Sequence, residues 1–240
     1  MATVQTQTVS GKTIVQVETQ ATHDLLARIE VLVANAVLRS LFEIPSLIAM
    51  KSYEARTVKQ LIGCHNAGER IKYVFFWGHT PPHDGSINQA CFSQWYDAPF
   101  ELDDILFPTS EHYMMAQKAL LFEDKTAYES ILNSAHPGEA KSIGRTVQNF
   151  NQSIWDGNRF EIVVKANYYK FSQNEPLKQY LLNTSSRVLV EASPRDTIWG
   201  IGLAQNHPKA ELPHAWKGLN LLGFALMEAR KRLGENHPVG

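Results

Sequence analysis

Two cysteines, Cys64 and Cys91, are all that the 240 residues contain. They are too few for a disulfide framework and neither stands in metal-ligand spacing, so a reducing, intracellular location, cytoplasmic or nuclear, is expected. Charge of one sign is also lacking: 23 Lys and Arg oppose 24 Asp and Glu, a formal net charge of −1. No overall field draws the chain to nucleic acid or anionic membrane, and any phosphate must be held by a local cluster. Long apolar runs are missing too. The most apolar early stretch, residues 25–50, is broken by Arg28, Glu30, Arg39, Glu43 and Pro45, which excludes a membrane span. The first residues lack a basic segment followed by an apolar core, so no secretory signal is expected. Internal repeats and low-complexity tracts are absent.

What is present suits a globular protein. Hydrophobic residues make up 44% and charged ones 20%, and the length is ample for a real core. The organising stretch is residues 108–118, Pro-Thr-Ser-Glu-His-Tyr-Met-Met-Ala-Gln-Lys. Thr109 or Ser110 can cap a helix, and Glu111 falls in the first turn, where the helix dipole favours negative charge. At 100° per residue Glu111, Met114, Met115, Lys118 and Phe122 share one face, while Tyr113, Ala116 and Leu120 cover the other. A carboxylate and an ammonium on an apolar face are costly to bury without a purpose. Either this helix presents both charges into a cleft, or Glu111 only complements the dipole and Lys118 snorkels to water.

The rest of the pattern predicts an α+β fold, mainly helical with a small set of short strands. Residues 1–21 read as a strand or a loose arm, 23–41 and 52–62 as helices, and 71–77 as a buried strand. Residues 93–100 and 102–107 look extended. Helices are expected at 124–134, 137–145, 155–171, 175–182 and 220–233, with a short strand at 187–190. Residues 207–218 form a polar loop that could serve as a lid. His79 and His83 invite a metal, but no third ligand stands at usable spacing, and neither metal nor other cofactor is expected. Lys141 and Arg145, four apart, could hold a phosphate or form a solvated basic face. Trp155 could be core or a stacking platform. Residues 192–202 place Asp196, Trp199, Gly200 and Gly202 on one loop, where backbone can approach a ligand closely.

Residues 109–118 resemble the signature helix of the NADAR family, also called YbiA-like proteins. Upstream, Phe92-Ser93-Gln94-Trp95-Tyr96 with Ala98-Pro99-Phe100 is similar to that family's S-N-F-x-x-x-P-F segment. Four further blocks follow in the family's order: residues 140–145; Trp155 with Arg159; Leu189-Val190-Glu191 followed by residues 196–200; and residues 220–223 with Leu226, Met227 and Arg230. The resemblance spans roughly residues 71–233. It implies a single NADAR/YbiA-like catalytic domain over 71–234, an N-terminal extension of unknown role over 1–70, and a C-terminal tail over 235–240. Gln94 departs from the family, which has Asn there.

The resemblance also implies chemistry: hydrolysis of an N-glycosidic bond between ribose and a base, without cofactor. The substrate expected is ADP-ribosylated guanine, in nucleic acid or as a nucleotide. The alternatives are ribosylaminopyrimidine phosphates of the early riboflavin pathway, or an ADP-ribose-binding module without turnover. Carried over as catalytic are Glu111, Asp196 and Lys118. Glu111 is expected to stay ionised, stabilising the oxocarbenium-like centre or activating water, with Asp196 as acid–base partner. Lys118 is expected to contact ribose or phosphate, a Schiff base with opened ribose being the alternative. Gln94, Trp95, Trp155, Trp199, Gly200, Lys141, Arg145 and Arg159 are the expected substrate-binding residues.

Overall fold

The computed structural model describes residues 3–10, 12–18, 29, 33 and 50–235. The chain divides into two compact units, Met1–Ala49 and Met50–Gly240. The helix expected at 23–41 falls almost wholly outside the described residues, as does the C-terminal tail beyond Glu235. In the first unit, β1 (Thr3–Val9) and β2 (Lys12–Glu18) form an antiparallel hairpin in register from Thr3↔Glu18 to Val9↔Lys12. Ser10, at φ 51°, supplies the positive φ that a two-residue hairpin turn requires.

The second unit begins before the expected boundary at residue 70. Arg56 pairs with Glu228 at 2.8 Å, and Ser52 hydrogen bonds to Glu69. The helix α1 (Val58–Asn66) packs on a 3-10 turn at Pro213–Ala215. These links tie residues 50–70 into the second unit.

Next come β3 (Tyr73–Phe76) and the hairpin β4 (Phe100–Leu102) and β5 (Ile105–Phe107). Asp103 and Asp104 both take positive φ at the hairpin tip, a conformation that short polar side chains tolerate. Extended structure was expected from residue 93; instead 93–99 is mostly turn, entered from a 3-10 turn at Gln89–Phe92.

The helix α2 (Ser110–Leu121) is the hub, capped by Thr109, whose Oγ1 accepts from the His112 N–H. Every residue from Ser110 to Ala116 is buried. Tyr113 meets Phe107 edge-on at 5.1 Å and Phe100 at 5.9 Å, which seats the hairpin on the helix. Around α2 pack α3 (Lys125–Leu132), α4 (Pro137–Arg145) and α5 (Gln152–Gln173), capped by Asp124, His136 and Asn151. The chain closes with α6 (Glu175–Leu182), β6 (Val188–Glu191) and α7 (Leu221–Glu235).

The strand β6 pairs in parallel with β3, Tyr73↔Val188 through Phe76↔Glu191. Both strands are therefore carboxyl-terminal at the same end, where open parallel pairs leave room for a ligand. Helix α7 packs on β6 and on α5, and Arg230 ties it down by donating to Thr184 Oγ1 and Arg187 O. Among the described residues, no helix is long and apolar enough to cross a membrane.

Candidate active site

A cavity of about 280 Å³ opens where α2, α4 and α5 meet the end of β6. From α2 come Glu111, Met114, Met115 and Lys118, and from α4 Lys141, Gly144 and Arg145; α5 adds Trp155 and α7 adds Leu222. Ser93, Gln94 and Trp95 form one wall, and Glu191, Asp196, Ile198 and Trp199 the facing one. A second hollow of about 480 Å³ shares Ser93, Trp95, Lys141, Arg145, Glu191, Asp196 and Ile198 with the first. It extends over Trp77, Gly78, His79, Ser193, Arg195 and Thr197, in the loops that follow β3 and β6. The site thus has a deep lobe with a helical floor between non-helical walls and an outer lobe formed mostly by loops.

Of the expected residues, Glu111, Lys118, Lys141, Arg145, Trp155, Asp196, Trp199, Gln94 and Trp95 all line the deep lobe. Gly200 and Arg159 do not. Gly200 lies behind the wall, where an added Cβ would sit 2.8 Å from Glu191 O, so its role is close backbone approach. Arg159 pairs with Asp156 at 2.6 Å along α5. The loop 207–218 lines neither lobe; the Lys217 and Gly218 N–H groups both donate to Ile201 O, which ties its end to the site loop.

Glu111 is 2% exposed, and its Oε1 has no hydrogen-bond partner. Burial pushes its carboxyl up to about 7, against the opposing pull of Lys141, the Trp95 side chain and Arg145. The helix dipole and the nearby cations, which favour the ionised form expected from sequence, are thus opposed by loss of hydration. Its backbone N–H donates to Gln94 O at 3.0 Å, locking the 93–95 segment against α2. The Gln94 Oε1 accepts from Asn167 Nδ2 at 3.0 Å, while its buried Nε2 has no partner. Lys170, fully buried, donates from Nζ to Ser93 O at 2.8 Å and fixes the same segment from below.

Lys118 Nζ donates to Gly144 O at 2.6 Å and lies 4.3 Å from the Phe150 ring centre and 5.6 Å from Trp155. Burial holds its amine below the usual lysine range. Such a contact requires α4 to run close to α2, and Gly144 permits it: a Cβ there would collide with Met115. Lys141 Nζ sits 5.6 Å from the Trp95 ring, on the partition between the lobes. Asp196 Oδ1 accepts from the Ile198 and Trp199 N–H groups at 2.8 and 2.7 Å, so one of its oxygens is committed to shaping its own loop.

One functional candidate was not legible as such. Glu191 appears in the sequence as the end of a short strand motif, yet it lines both lobes. Its Oε2 is sealed from solvent without a partner, and burial, with the charges of Asp196 and Glu111, raises its carboxyl to about 8. Parallel pairing of β3 with β6, invisible in a four-residue strand, is what brings it here. Arg195, Trp77 and His79 were likewise unassigned or read otherwise, and all reach the outer lobe.

The arrangement can be compared with known proteins. The model of the NADAR domain matches residues 75–234. A protein of Acanthamoeba polyphaga mimivirus named an N-glycosidase is 42% identical over 171 residues, covering 68% of this chain and 97% of that protein. The N-glycosidase YbiA of Escherichia coli is 34% identical over 165 residues, 69% of this chain and 94% of YbiA. The NMR structure of E. coli YbiA matches with a TM-score of 0.56 at 29% identity, covering 71% of this chain and 92% of that one. Sequence and fold agree, and the chain belongs to the NADAR domain family.

Proposed function

We propose that this protein is an N-glycosidase that removes ADP-ribose from ADP-ribosylated guanine, in nucleic acid or as a nucleotide. Hydrolysis of an N-glycosyl bond is the activity its relatives are named for. The observation that carries the finer reading is the two-lobed site, with carboxyls at the partition and Lys141, Arg145 and Arg195 beside the outer lobe. A ribose bound at the partition places C1′ near Glu111, its base in one lobe and a diphosphate against the three cations of the other. The smaller ribosylaminopyrimidine phosphate would occupy the deep lobe and leave Arg195 unused.

Departure of the base leaves positive character at C1′, and Glu111, ionised, either shields that charge or takes a proton from the attacking water. Asp196 holds the Trp199 loop in place and faces the ribose with the rest of its carboxyl. Trp155, Trp199 and Trp95 offer flat surfaces to sugar and base. Lys118, held by Gly144 O, contacts ribose or phosphate, and direct hydrolysis is the favoured route.

The test is to incubate the purified protein with guanine-ADP-ribosylated DNA and, separately, with a ribosylaminopyrimidine phosphate, following release by mass spectrometry. ADP-ribose released from the DNA alone, and lost in Glu111→Gln, supports the proposal. Release from the pyrimidine alone makes the protein a metabolite hydrolase. Tight ADP-ribose binding without release from either makes it a binding module.

A further inference from the structure

The carboxyl of Glu191 has a position that the reading above does not use. The residue ends β6 and belongs to both lobes, so its side chain stands at the partition where the scissile bond would lie. Its backbone is fixed from three sides. The Glu191 N–H donates to Asn220 Oδ1 at 3.0 Å, Glu191 O accepts from Ile201 N–H at 3.0 Å, and the next N–H, of Ala192, donates to Phe76 O at 2.9 Å. The side chain, by contrast, has no ion pair among the described residues, and its buried Oε2 has no hydrogen-bond partner. A carboxyl that lines both lobes and keeps a buried oxygen without a donor is costly to hold as an anion and easier to hold as a neutral acid. Asp196, the partner expected from sequence, has Oδ1 already bound to two N–H groups.

We propose that Glu191 is the general acid of the N-glycosidase reaction, donating its proton to the departing base while Glu111 acts as the base. The C1′–N bond breaks with its electron pair going to the base nitrogen, and the Glu191 proton neutralises the base. Water adds to C1′ and gives one proton to Glu111. Proton exchange with solvent then resets both carboxyls, and the net change is hydrolysis. This division follows position: Glu191 lines both lobes and so can reach the departing base, whereas Glu111 lines the deep one. The charged and titratable groups that line the two lobes with Glu191 are Glu111 and Lys118 from α2, Lys141 and Arg145 from α4, His79 from the loop after β3, and Arg195 and Asp196 from its own loop; Asp196, Lys141 and Glu111 act on its carboxyl. The inference rests on the N-glycosidase reading.

Its test is kcat/KM on guanine-ADP-ribosylated oligonucleotide from pH 5.5 to 9.5 for wild type, Glu191→Gln and Glu191→Asp, each shown folded by circular dichroism. Glu191→Gln should lose about 100-fold at neutral pH, and the fall in rate on the alkaline side should disappear. Glu191→Asp, which keeps an acid, should retain that alkaline fall at reduced rate. A second substrate, a riboside with a 4-nitrophenolate leaving group that needs no proton, should be cleaved by Glu191→Gln within about threefold of wild type, whereas Glu111→Gln fails on both. Glu191→Gln active within threefold on the oligonucleotide, or slowed with its alkaline fall intact, overturns the assignment and leaves the N-glycosidase reading standing. Wild-type protein inactive on every riboside overturns both.

Discussion

The side-chain amide of Asn220 works as a strand edge for Glu191: Oδ1 accepts from the Glu191 N–H at 3.0 Å and Nδ2 donates to Leu189 O at 2.9 Å. Asn220 is fully buried and sits at φ 52°, a conformation that Asn tolerates better than other non-glycine residues. One side chain thereby replaces the third strand that a two-stranded sheet lacks. Asn220→Ala leaves two backbone groups unpaired and keeps the unfavourable φ, and should lower stability by roughly 3 kcal/mol in urea unfolding. Asn220→Gly removes only the hydrogen bonds, and its loss should be smaller by about 1 kcal/mol.

Room for that clamp comes from Gly223, one turn into α7. A Cβ there would collide with Leu189 O and lie 2.5 Å from Asn220 Nδ2. Because backbone cannot yield as a flexible side chain does, Gly223→Ala should destabilise by about 2 kcal/mol or more. Gly157, inside α5 with nothing within 4 Å of its added Cβ, is the control. Gly157→Ala should raise stability by about 0.5–1 kcal/mol, seen as a higher melting temperature.

The buried carboxyls make stability fall as pH rises. Glu111 titrates near 7 in the folded protein, against 4.5 as its ordinary value, so the folded state binds its proton more tightly. Stability from this group is intact below about pH 4.5, declines through the interval up to 7, and is then flat. Glu191 extends the same decline to about pH 8. Glu111→Gln removes a buried charge while keeping shape, and at pH 8 should stabilise the fold by on the order of 1–3 kcal/mol while abolishing turnover. Thermal melts of wild type and variant at pH 5 and pH 8 check this, the gain appearing only at the higher pH.

Lys118 separates two chemical routes. With Nζ bound to Gly144 O, direct hydrolysis predicts no covalent adduct when the reaction is run with cyanoborohydride and the intact protein is weighed. Lys118→Met should then reduce kcat/KM by about tenfold, mainly through KM, as expected for a lost ligand contact. A trapped mass on Lys118 would instead establish the Schiff-base route.

The helices were legible because their signals are local. Pro137–Arg145 and Glu175–Leu182 begin and end where Pro, caps and apolar spacing place them. Periodicity placed Glu111 with Lys118 and Lys141 with Arg145 on shared helix faces, and the family resemblance pointed to Trp155; all five line the deep lobe. Glu191 was not, since its place depends on pairing with a strand over a hundred residues earlier. The burial of Glu111 was hidden for a related reason. The first turn of a helix favours an anion, but only the packing of α4 and segment 93–95 over it removes the water that an anion needs. Arg159 carried a motif match and still turned along its own helix to Asp156, a choice that spacing cannot forecast.

The two lobes of the site draw on the chain in different proportions. Helices packed around the buried hub form the floor of the deep one, and the loops leaving β3 and β6, with exposed Trp77 and Arg195, form most of the outer one. Loops tolerate substitution, insertion and deletion far better than close-packed helices do. The loops of the outer lobe, Trp77 and Arg195 among them, can therefore vary while the helical floor that carries Glu111 and Lys118 stays fixed.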